Sequence, residues 1–64
     1  MDNKKRILIV EDEPIVAIDI RKVLQNLGYE VTGTVASGQA AVQEVQQNPP
    51  DLVLMDILLR GAPL

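Results

Sequence analysis

The sequence predicts an α/β domain built on a parallel sheet, and three observations carry that prediction. "ILIV" at 7–10 and "LVLM" at 52–55 are continuous apolar runs, as strands buried on both faces are, and lack the alternation of a half-exposed sheet. Between them lie two stretches whose apolar residues recur at helical spacing. Connections of only a few residues then give the order strand, helix, strand, helix, strand, the pattern of crossover units with right-handed connections.

The first strand stops abruptly at "EDEP". Pro14 suits the first turn of a helix, where its missing N–H would have no partner, and an acidic residue just ahead of it is expected to cap that end. Val16, Ile20, Val23, Leu24 and Leu27 form the apolar stripe, with Asp19, Arg21, Lys22, Gln25 and Asn26 on the other face. Gly28 ends the helix through the left-handed backbone region. "YEVTGTV", 29–35, is rich in β-formers but less oily than the first strand, which places it nearer an edge. Ser37 with Gly38 is a cap and turn signal. Ala41, Val42 and Val45 make a narrow stripe that Asn48 and Pro49-Pro50 end. "DLVLMD", 51–56, is the third strand and, like the first, closes on a carboxylate.

Composition is that of a folded chain, with 47% hydrophobic and 23% charged residues among 64. A chain of this length buries only about 60% of the surface it exposes when unfolded, so its core is thin. With no Cys and no His, neither disulfides nor structural zinc can add to it, which leaves self-association. A net charge of −3 and a single aromatic residue, Tyr29, argue against a nucleic-acid surface, which needs a basic footprint and usually stacking rings. No apolar run approaches the ~20 residues of a membrane span, and Lys4-Lys5-Arg6 is followed by only four apolar residues, too few for a signal peptide. The expectation is a cytoplasmic protein.

The chemistry gathers where the strands end. Ligands of parallel sheets bind outside the carboxyl ends of strands, and Glu11, Asp12 and Asp56 all fall there. If the first and third strands are neighbours, these carboxylates converge, while Lys4, Lys5 and Arg6 lie at the opposite end and cannot neutralise them. Such a cluster needs a cation. Hard oxygen donors with one or two carboxylates suit Mg²⁺, and an aspartate beside magnesium is a candidate nucleophile toward phosphorus. Glu13 reads instead as a charge that favours the start of the helix. Ser37-Gly38-Gln39 matches no phosphate-binding glycine pattern and reads as a cap. Met55 is core filler, and Gly61 a turn glycine. A phosphatase with aspartates two residues apart is disfavoured, because position 58 is Leu.

"ILIVEDEP", the helix ending in "LGYEV", "GTVASGQAAV" and "PDLVLMDILLRG", in this order and spacing, resemble the receiver domain of two-component response regulators. The resemblance implies that Asp56 accepts a phosphoryl group from a histidine kinase or phosphotransfer protein. It implies that Asp12 and Asp56 bind Mg²⁺, that Glu11 does so largely through water, and that the Leu58 backbone carbonyl supplies a further ligand. It also implies a flavodoxin-like fold, a parallel three-layer sandwich with strand order 2-1-3-4-5, of which this chain would hold the β-α-β-α-β half in order 2-1-3.

The family pattern continues into two further strand-helix units that carry a switching Ser or Thr and a Lys, and these are absent from the 64 residues. Residues 1–64 are therefore expected to be a single truncated receiver domain. It would be a phosphoacceptor and not a turnover enzyme, and would be incapable of switching as it stands. The alternative is a half-domain that acts only by self-association, a homodimer closed through the exposed edge of the third strand.

Overall fold

The computed structural model describes residues 3–55. The expectations attached to Asp56, Leu58 and Gly61 lie outside that range. Five elements follow in order: β1 (Arg6–Val10), α1 (Pro14–Asn26), β2 (Glu30–Val35), α2 (Gly38–Gln47) and β3 (Leu52–Met55). All strand pairs are parallel, in the order β2-β1-β3. The expected α/β class and strand order 2-1-3 are therefore what the chain adopts, and β2 is at an edge as its mixed composition required.

β1 is central and holds the core. Ile7, Leu8, Ile9 and Val10 are all buried, which an uninterrupted apolar strand achieves only with cover on both faces. Alternation along the strands separates the two layers. Leu8 and Val10 pack with Ala41 of α2, joined by the partly buried Val35 and Val45. On β3, Val53 and Met55 border a groove with α2, whereas Leu54 borders one with Ile20, Val23 and Leu24 of α1. The two helices thus cover opposite faces. Each fully buried Leu, Ile or Val contributes roughly 1.5–3 kcal/mol, so β1 is the main source of stability.

The helices close where local chemistry requires. Gly28 has φ +95°, its N–H donates to the Gln25 carbonyl, and the Tyr29 N–H donates to the Leu24 carbonyl at 3.0 Å. This pair of bonds terminates α1 through a left-handed residue. It also occupies the Tyr29 N–H, so β2 begins at Glu30, one residue later than the composition of "YEVTGTV" indicated. Ser37 Oγ accepts from the Ala40 N–H at 3.1 Å and caps α2, as expected.

The α1 stripe packs differently from its expected form. Ala17 is the buried residue of the helix, while Val23 and Leu27 are 56% and 68% exposed. Val23 borders the groove beside Leu54 of β3 and stays largely exposed there.

At the amino ends of the strands, Arg6 ties three segments together. Its backbone N–H donates to Asp51 Oδ2 at 2.8 Å, and its guanidinium donates to the Pro49 carbonyl and to Asn48 Oδ1. It also lies 3.6 Å from the Glu30 carboxylate. β1 and β2 meet with one irregularity: Ile7 pairs with Val31 and Leu8 with Gly33, so Thr32 is the extra residue of a bulge. Its hydroxyl donates to the Ile7 carbonyl at 3.4 Å.

Among the described residues, no helix is long and apolar enough to cross a membrane.

Candidate functional site

The carboxyl end of the sheet is built on a shared register. Val10 pairs with Val35 on one side and Met55 on the other, so the three strands finish level with one another. The Glu11 N–H continues the ladder by donating to the Val35 carbonyl at 2.8 Å. Glu11 and Asp12 therefore emerge from the central strand, beside the end of the strand that leads in sequence to Asp56.

Glu11 is buried, with 7% of its surface exposed. Its Oε2 accepts a hydrogen bond from the Glu13 N–H at 2.9 Å. The carboxylate thereby fixes the turn from β1 into α1. Glu13 occupies the N-cap position in an extended conformation, and its side chain makes no cap hydrogen bond. This corrects the expectation that the acid just ahead of Pro14 caps the helix: the carboxylate that satisfies a backbone N–H at this end comes from two residues earlier. Glu13 still places negative charge at the helix start, where the dipole favours it. Pro14 opens the helix.

Asp12 is half-buried, and its Oδ1 is shielded from solvent. Glu11 and Asp12 thus present hard oxygen donors at one sheet end, a donor chemistry that fits Mg²⁺. Among the described residues, no three acidic, His or Cys side chains form a metal-holding group. The remaining members of the expected set, Asp56 and the Leu58 carbonyl, lie outside those residues.

A cleft of about 240 Å³ opens beside the acid pair, between α1 and the end of β2. Glu11, Asp12, Ile18, Arg21 and Thr34 are among its lining residues. The sequence puts Arg21 on the polar face of the helix, and the case for a cation weighs only Lys4, Lys5 and Arg6 as bases near the acids. The structure corrects that: Arg21 shares the cleft with both carboxylates. Helical spacing puts Pro14, Ile18 and Arg21 on one side of α1 at intervals of four and three, but which side meets the acids depends on how the helix is rotated over the sheet.

A larger hollow of about 550 Å³ sits at the opposite end of the sheet, lined by Lys4, Lys5, Arg6, Glu30 and Asp51. The basic residues are therefore at the far end from Glu11 and Asp12, as expected. Arg6 is committed to the contacts that hold the strand ends together, and the charges there are of both signs, so this hollow is not the counterpart of the acid site.

Comparison with known proteins agrees with this geometry. The profile described as "Response regulator receiver domain" matches residues 7–62. The chain is 42% identical over 53 residues to the transcriptional regulatory protein PdtaR of Mycobacterium tuberculosis, covering 83% of this chain and 26% of that protein. It is 36% identical over 55 residues to the chemotaxis protein CheY of Thermotoga maritima, covering 86% of this chain and 46% of that one. With CheY of Bacillus subtilis the identity is 39% over 54 residues, covering 84% and 45%. The chain thus spans about a quarter to a half of the length of these relatives. No solved structure matches. With β1 ending in paired carboxylates, strand order 2-1-3 and a profile match across most of its length, the chain belongs to the response regulator receiver domain family of two-component systems.

Proposed function

We propose that residues 1–64 are the amino-terminal part of a receiver domain in which Asp56 accepts a phosphoryl group from a histidine kinase or phosphotransfer protein. The observation that carries the reading is the parallel pairing of Val10 with Met55. It sets the acid pair that follows one strand beside the strand whose next residue in sequence is Asp56.

In the transfer, a carboxylate oxygen of Asp56 attacks phosphorus. The bond from phosphorus to the donor histidine nitrogen breaks, and its electron pair stays on the imidazole. When bound, Mg²⁺ neutralises phosphate oxygens and so lowers the repulsion between two anions. Asp12 and Asp56 would hold it directly, Glu11 through water, and the Leu58 carbonyl would complete the protein ligands. Glu11 has a second task, since its bond to the Glu13 N–H keeps Asp12 at the mouth of the turn. The product acyl phosphate adds about −1.5 to −2 charges at the sheet end, enough to reposition neighbouring loops. The longer protein containing this segment is then a phosphoacceptor that changes state, working in the cytoplasm with its kinase.

The alternative, a structural half-domain acting by homodimerisation through β3, is not favoured. It leaves the carboxylates at the end of β1 without a role, whereas the receiver reading uses them.

The test is phosphorylation of the longer protein containing this segment, with a small-molecule phosphodonor and Mg²⁺, followed by peptide mapping. The expected result is one phosphoryl group on Asp56, lost in Asp56→Asn and abolished when Mg²⁺ is chelated. Modification elsewhere, or undiminished labelling of Asp56→Asn, would overturn the proposal.

A further inference from the structure

We draw no further inference here: the strongest candidate, the exposed apolar surface of β3 where Leu54 borders α1 and Val53 and Met55 border α2, carries none because nothing in the structure shows what covers it.

Discussion

Glu11 illustrates how one side chain serves both architecture and site. Buried and bonded to the Glu13 N–H, it shapes the turn that presents Asp12. The bond is part-buried, so losing the acceptor costs at most about the 1–3 kcal/mol of a fully buried unpaired N–H. Glu11→Ala is therefore expected to lower stability by about 1 kcal/mol in denaturant unfolding. Glu11→Gln, whose amide oxygen can still accept, should fold nearly as well while binding Mg²⁺ more weakly. Equal stability of the alanine and glutamine variants would show that the turn bond does not matter. The sequence marked this stretch as acidic and functional, yet could not say which acid meets the backbone. Glu11 and Glu13 are chemically alike, and only the turn conformation decides. Gly28 and Ser37 were legible because their partners lie within a few residues of them.

At the scale of elements, burial is concentrated in β1. Leu8 is fully buried against α2, so Leu8→Ala should cost about 2–5 kcal/mol through lost transfer energy and the cavity left behind. Val42, on the exposed side of α2 at 59% exposure, should tolerate alanine with a change within about 0.5 kcal/mol. Chemical denaturation of both variants checks the contrast, and comparable losses would mean that α2 packs through a different face. β1 was readable from its apolar run because burial on both faces removes alternation. The like run of β3 reads the same way, yet Leu52, Val53 and Met55, the last expected as core filler, are exposed among the described residues. The packing of the helices was less readable. Ala17 and Ala41 are the buried residues of the two helices, and alanine carries little weight in a hydrophobic stripe. The larger Val23, Leu27 and Val42 define the stripe by eye and remain exposed.

Across the whole molecule, the sheet separates two kinds of chemistry. Its amino ends are fastened by Arg6, whose hydrogen-bond partners Asp51, Pro49 and Asn48 lie more than forty residues away in sequence. No local pattern announces such contacts, and Arg6 read from sequence was one of three bases preceding a strand. Arg6→Ala removes the guanidinium bonds to Pro49 and Asn48, and the expected loss is about 1–2 kcal/mol. The half-exposed pairing with Glu30 adds little to this. Thermal unfolding measures it, and an unchanged midpoint would show that the clamp is dispensable. The carboxyl end of β1 carries the acids Glu11 and Asp12 instead. The place of Glu11 and Asp12 at that rim was legible because parallel strands with short crossovers put their carboxyl ends on one side of the sheet. The presence of Arg21 in the same cleft was not, because it depends on how α1 is rotated over the sheet.

The central claim is that oxygen donors from the ends of β1 and β3 act together on one divalent ion. Calorimetric titration of Mg²⁺ into the longer protein, and into its Asp12→Asn and Asp56→Asn variants, tests it most directly. Each substitution is predicted to weaken binding about tenfold or more, the equivalent of about 1.4 kcal/mol, with folding judged intact by circular dichroism. Unchanged Mg²⁺ affinity in either folded variant would contradict the claim.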